Sequence, residues 1–354
     1  MLLAFGAPAL FDTPAPIEEL SRRYPKALML GCSTAGEIHD MKVSDDSLAL
    51  AILRFEHTKV ACACAEIGDT EGSAAAGEAL AKQLLAPDLR AVLVISEGSI
   101  INGSALVHGL RSVLPPEVVT TGGLAGDGPR FERTWILVDG RPRQGFVSAL
   151  GLYGERVEIR HGSKGGWDLL GPDRVVTRSK ANVLYELDGK PALALYKRYL
   201  GERASELPAS ALLFTLALRS TAEQEERLVR TVLSVDEDAQ SMTFAGNLPE
   251  GSIVQLMRAN FDRLIEGASE ATQMTGHEQT ALDGGPLLSL AISCVGRRLV
   301  LGERVEEELE ASMEALPEGT QQVGFYSYGE ISPHTTGRCE LHNQTMTLTT
   351  IREA

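Results

Sequence analysis

Three stretches end an apolar run on glycine, small hydroxyl residues and an acid. They are GCSTAGEIHD (Gly31–Asp40), TGGLAGDG (Thr121–Gly128) and GFYSYGEISP (Gly324–Pro333). Composition alone yields roughly five glycine–acid dipeptides, and the chain has eight, so the dipeptide itself carries no signal. The context does, because each corner follows a strand-like run, KALML, EVVT or QQVGFYS. Glycine there permits positive φ or close backbone approach. An acid just beyond the turn either caps free N–H groups or faces a cationic ligand group.

Catalytic readings of these corners fail on spacing. Gly31, Ser33 and Gly36 give G-x-S-x-x-G, one residue longer than a nucleophile elbow. Cys32 as a thiolate nucleophile needs a histidine base close in space, and His39 nearby in sequence does not supply the argument. GGLAGDG lacks the Lys-Ser/Thr of a P-loop and the G-x-G-x-x-G spacing. The seven histidines form no H-x-x-x-H or H-E-x-x-H pair, which leaves no metal-ligand spacing, although a single axial histidine suffices to hold a haem. No carboxylate pair stands out for acid–base work.

The elements that must position the corners alternate early and then run as strands. Strand-like runs are MLLAF, KALML, SLALAIL, KVACACAEI, AVLVIS, EVVT, TWILVD, FVSALGLYG and RVEIRHG; helical signals are PIEELSRRY, TEGSAAAGEALAKQLL and NGSALVHGLRSVL. From Trp135 to His161 strands follow one another alone. The expected fold class is therefore mixed α/β: two consecutive domains on mixed, largely antiparallel sheets with helices packed on them. The boundary is placed near Asp188-Gly189-Lys190-Pro191, giving domains 1–190 and 191–354. Beyond it, PALALYKRYL reads as a helix opened by Pro191, and ALLFTLAL, RTVLSVD, SMTFAG, SIVQLM and PLLSLAISC read as strands. A helix is expected from about Asn260 to Met274. ERVEEELEASMEAL reads as an amphipathic helix with Val305, Leu309, Met313 and Leu316 inward, and QQVGFYSYGE and QTMTLTTI read as closing strands.

Bulk properties exclude several functions. A net charge of −15 repels nucleic-acid phosphates and anionic membranes, and no run of about 18 apolar residues suggests a membrane span. The apolar start MLLAFGAPALF lacks a basic region and a cleavage site, so it reads as a strand rather than a signal peptide. Five cysteines, Cys32, Cys62, Cys64, Cys294 and Cys339, are a sparse, odd set. They point to free thiols in a reducing, cytoplasmic setting.

Taken together and in order, YPKALMLGCSTAGEI, TTGGLAGDG, LDGKPALALY, SCVGRRLVLGE, GFYSYGEISP and LHNQTMTLT resemble the FIST family, sensory proteins with FIST N and FIST C parts. The resemblance runs from about Ala27 to Ile351. It implies a non-catalytic, small-molecule-binding module of signal transduction, with amino acids as proposed ligands; one branch of the family is described as haem-dependent nitric-oxide sensors. It also implies an output through a separate signalling partner, such as a histidine kinase or a cyclic-nucleotide enzyme. Carried onto this chain, the ligand cleft would be lined by Cys32, Ser33, Thr34, Gly36, Glu37, Gly122, Gly123, Gly126, Asp127, Tyr326, Ser327, Tyr328, Glu330 and Asn343. Arg297 would supply the guanidinium for a ligand carboxylate.

Overall fold

The computed structural model describes residues 1–354 except 14, 208, 222, 224–226, 278–284 and 335–336. Leu2–Gly6 pairs in parallel with Met29–Ser33, and the connection carries the helices Pro8–Asp12 and Ala15–Arg23. These strands centre a five-stranded sheet that also holds Leu48–Ile52, Ile136–Val138 and Arg141–Arg143. Alternation sorts its side chains: Leu2, Ala4 and Met29 face the helices, while Leu3, Phe5, Leu30 and Cys32 face inward.

A second sheet runs in the order Cys339–His342, Gly329–Pro333, Val119–Leu124, Leu89–Ser96, Phe146–Tyr153 and Lys59–Glu66. The helices Ser73–Leu84 and Gly103–Arg111 pack together on one face, where Gly77 and Gly109 let their backbones approach closely. A third sheet has the order Val157–Lys164, Met346–Glu353, Leu288–Cys294, Gln321–Ser327, Glu37–His39 and Lys42–Ser44. The helices Phe261–Gln273 and Val305–Glu314 cover it. The inner faces of all three sheets share one core, in which Phe5 of the first stacks on Phe325 of the third at 4.7 Å between ring centroids. Truncating such a buried ring costs about 3–5 kcal/mol.

A fourth, antiparallel sheet is built from Asp168–Lys180, Val183–Leu187, Leu216–Arg219, Leu228–Arg230, Val232–Asp236, Ser241–Phe244 and Ile253–Arg258, with the helix Ala192–Leu200 on it. Three mixed sheets and one antiparallel sheet, all with helical cover, are thus the architecture. The 13-residue strand Asp168–Lys180 was hidden by its charges and Gly171-Pro172. The run 211–218 divides into a 3-10 turn, Ala209–Leu213, and a strand, Leu216–Arg219. Residue 190 lies inside the fourth sheet. Strands 329–333 and 339–342 complete the sheet of the N-terminal half, and Glu37–His39 joins a sheet otherwise built from later strands.

The three corners are places where the chain leaves a sheet. Between Ser33 and Glu37 it passes from the first sheet to the third, and between Ser327 and Gly329 from the third to the second. Leu124 ends its strand in the second sheet. Just before that end, Gly122 pairs with Val94 of the neighbouring strand; its φ is +150°, and an added Cβ would stand 1.7 Å from the Val94 carbonyl oxygen. Gly122→Ala is expected to destabilise by about 3 kcal/mol or more, at the upper end of single substitutions. Gly189→Ala, at φ +68° with open space around it, is expected to cost about 1–2 kcal/mol. Urea denaturation of both variants checks this; equal losses would show that crowding at Gly122 is not the constraint.

Candidate functional site

Backbone hydrogen bonds knit the corners to one another. Ala35 N donates to Tyr326 O and Tyr326 N to Gly36 O, both at 2.9 Å; Gly126 N donates to Ser33 O at 2.9 Å, and Gly128 N to Thr34 O at 3.2 Å. Tyr328 N reaches Leu124 O at 3.2 Å, and Glu330 pairs in register with Gly123. Gly36, at φ +130°, leaves room for the Arg298 guanidinium, and Gly126 lies against Ala35. The corners therefore form one junction, with Ser33, Thr34, Glu37, Asp127, Ser327 and Glu330 all buried.

Each acid of the junction is held differently. Glu37 accepts from Thr34 Oγ1 at 2.5 Å and from Ser47 N and Oγ at 3.1 and 2.7 Å. Burial nevertheless pushes its carboxyl up, and Asp45 adds to that. Asp127 accepts from the Tyr328 hydroxyl and from the backbone N–H of Phe131, Glu132 and Arg133 at 2.8, 3.0 and 2.9 Å. Burial opposes its charge, but these donors outweigh it and hold the carboxyl below the usual range. Phe131, in the left-handed region at φ +56°, stacks on Tyr328 at 4.3 Å and closes the loop outward. Glu330 accepts from Ser327 Oγ at 2.6 Å and from Thr345 Oγ1 and N at 2.9 and 3.3 Å. Burial dominates there and pushes the carboxyl up to about 7.

Other expected lining residues have different work. Arg297 is fully buried and committed: it donates to Glu308 Oε2 at 2.9 and 2.7 Å through Nε and Nη2, to Leu264 O at 2.7 Å, and to Gly165 O. It cannot serve as the guanidinium for a ligand without abandoning a buried carboxylate. Tyr326 and Tyr328 do not flank Glu330 together. The Tyr326 hydroxyl donates to Glu308 Oε1 at 2.7 Å, whereas that of Tyr328 goes to Asp127, because the chain changes sheets between them. Cys32 is buried beside Leu3, Phe5 and Ile136 in the inner core, where burial raises its thiol well above the ordinary value. Ser33 Oγ accepts from Trp135 N at 2.9 Å.

Glu308, Thr345 and Gln344 were not singled out in the sequence. Glu308 sits among four glutamates in EEELE, and its one signal was its position beside the inward Leu309. Asn343 and Gln344 follow His342, the register partner of Glu330, and precede its donor Thr345. Both are buried, at 1% and 0% exposure, and no side-chain amide atom of either has a partner among the described residues. Buried polar groups are otherwise nearly always bonded, to protein or to bound molecules. The larger surface clefts, of about 400 and 980 Å³, are lined by other residues.

The model of the FIST N domain matches residues 1–190, and that of the FIST C domain matches residues 192–333. No curated protein matches the chain at a significant level. A solved structure, cyanuric acid hydrolase from A. caulinodans, is 12% identical and covers 84% of this chain and 99% of its own, with a TM-score of 0.19; so low a score carries no argument about fold or activity.

Two outcomes are expected. Arg297→Met and Glu308→Leu should each cost about 3–5 kcal/mol, as removal of one partner from a buried pair does. The double variant should cost clearly less than the sum; additive losses in a double-mutant cycle would mean that the pair is not coupled. Glu330 gives a pH signature. Its folded value of about 7 lies above the reference 4.5, so its stabilising contribution is full below pH 4.5 and is lost as pH rises to about 7. Relative to wild type, Glu330→Gln should therefore gain about 2–3 kcal/mol between pH 4.5 and pH 8, read by urea titration at both pH values. A constant difference would place the Glu330 titration near its ordinary value.

Proposed function

The chain belongs to the FIST family, and from that membership we propose a non-catalytic sensory protein that holds a small polar ligand at the corner junction, beside Glu330 and Asn343. FIST domains are sensory domains, which supports a signalling role. The observation that carries the ligand reading is the pair of buried, unpartnered amides of Asn343 and Gln344. Each unmet buried donor or acceptor costs about 1–3 kcal/mol, and a molecule that bonds them recovers it. An amino acid matches the chemistry: its ammonium suits the Glu330 carboxyl and its carboxylate accepts from the two amide NH₂ groups. Arg297 plays no part in this version, since Glu308 holds it. A buried Cys32 and a hydrogen-bonded Ser33 favour binding over nucleophilic chemistry. Output would pass to a separate signalling protein, a histidine kinase or a cyclic-nucleotide enzyme. No helix among the described residues is long and apolar enough to cross a membrane, and the proposed setting is the cytoplasm.

Haem is the alternative ligand, and it needs a histidine nitrogen available to iron. His342 Nε2 lies 3.0 Å from Ser332 O and His277 Nε2 lies 2.9 Å from Thr350 Oγ1, whereas His161 keeps a buried Nδ1 without a partner among the described residues. His161 would be the iron ligand.

A thermal-shift screen of amino acids and haemin tests both readings. A ligand at 100 Kd should stabilise by about 2.7 kcal/mol. Asn343→Ala and Glu330→Gln should each weaken the amino acid found at least tenfold, about 1.4 kcal/mol. The ligand-free Asn343→Ala protein should lose under about 1 kcal/mol of stability, because no bond is removed. Undiminished affinity in Asn343→Ala would sink the assignment, and a Soret band abolished by His161→Ala would replace it with haem.

A further inference from the structure

The strand Val119–Leu124 has a second functional end. Its last residues enter the corner junction; beside its first residues, Val119 and Thr120, a cleft of about 400 Å³ opens to the surface. This is within the size range of small-molecule sites. Leu114, Pro115, Pro116, Val118 and Pro333 form its apolar part. Three of these are prolines, whose fixed φ keeps the wall rigid before anything binds.

The polar part is cationic. Arg111 and Arg338 line the cleft together with His161. Arg338 is exposed and makes no ion pair among the described residues. Arg111 is shared with Glu340, at 2.5 Å. The buried Arg230 donates to Leu341 O at 3.1 Å, on the strand of the lining residue Cys339, and adds a positive charge with no bonded carboxylate among the described residues. His161 contributes a half-buried ring with an unpartnered Nδ1. Burial lowers its basicity, so at neutral pH the ring is uncharged and carries one N–H for an acceptor. A positive cleft on a chain of net charge −15 runs against the overall field and selects anions locally.

We infer that this cleft binds a small amphipathic carboxylate, with its head between Arg338 and Arg111 and its hydrocarbon part against Pro115, Pro116 and Val118. A guanidinium is suited to a carboxylate's two oxygens, and the apolar wall demands a body that a simple anion lacks. This site is separate from the corner junction and stands whether or not that junction holds an amino acid.

Isothermal titration of the full chain with sodium octanoate provides the test. Saturable one-to-one binding is expected, with 1-octanol, acetate and inorganic phosphate each at least tenfold weaker. Arg338→Glu should weaken octanoate at least tenfold at an unchanged melting temperature, because Arg338 is exposed. The His161 ring signals should move in the NMR spectrum on octanoate addition. Absence of saturable binding, octanol binding as tightly as octanoate, or an Arg338→Glu protein of full affinity would each overturn the inference. So would a His161-dependent Soret band with haemin in a protein that does not bind octanoate.

Discussion

Glu308 is a carboxylate sealed from water, and much of the C-terminal part of the molecule is arranged around that constraint. A buried charge is tolerated only when paired and hydrogen-bonded on every side. The partners come from separate elements: Arg297 from the helix Val295–Leu301, Ser293 from one central strand and Tyr326 from the next. Arg297 in turn uses its remaining donors on carbonyls of the helix Phe261–Gln273 and of the Gly165 turn. A hydrophobic contact tolerates sliding, but this set does not. It fixes the register of the third sheet against its helices, and with it the point at which Tyr326 hands the chain to the corner.

From that point the geometry follows from sheet crossing. Three strands that change or end their sheets at one place must bring backbone against backbone, which favours glycine and small residues there. The acids then answer a local need. Asp127 absorbs the free N–H groups of the loop after it, Glu37 those of Ser47, and Glu330 ties the strand Gly329–Pro333 to Thr345. Bracing and ligand contact are therefore not alternatives along the whole junction. All three acids accept from protein donors, and beside Glu330 alone lie amides, those of Asn343 and Gln344, with no partner among the described residues.

Much of this is legible in the amino-acid sequence. Strand-like runs such as KVACACAEI and FVSALGLYG became paired strands of one sheet, since short runs of apolar and small residues mark half-buried or fully buried strands. Glycine–acid corners after strands marked the junction. What stayed hidden was long-range pairing. Nothing local tells Arg297 that its partner is Glu308 rather than a ligand, and a glutamate-rich helix face conceals the one acid that turns inward. Asp168–Lys180 escaped because its charges, an internal Gly-Pro and register shifts between Leu170 and Arg174 and between Val176 and Ser179 break the alternation. Tyr326 and Tyr328, two residues apart, diverge because a sheet change between them cancels the alternation.

The sharing of strands between early and late parts of the sequence has a consequence for how the protein is made. Val119–Leu124 leaves the ribosome long before Gly329–Pro333, its neighbour in the sheet, and Glu37–His39 long before Gln321–Ser327. A nascent N-terminal half thus presents unpaired strand edges while roughly two hundred residues are still to be synthesised, at about 5–20 residues per second. Such edges are templates for wrong partners, and pairing across such separations is slow. Folding of the corner junction is for this reason a late event of biosynthesis, completed only after Thr345 has emerged to meet Glu330.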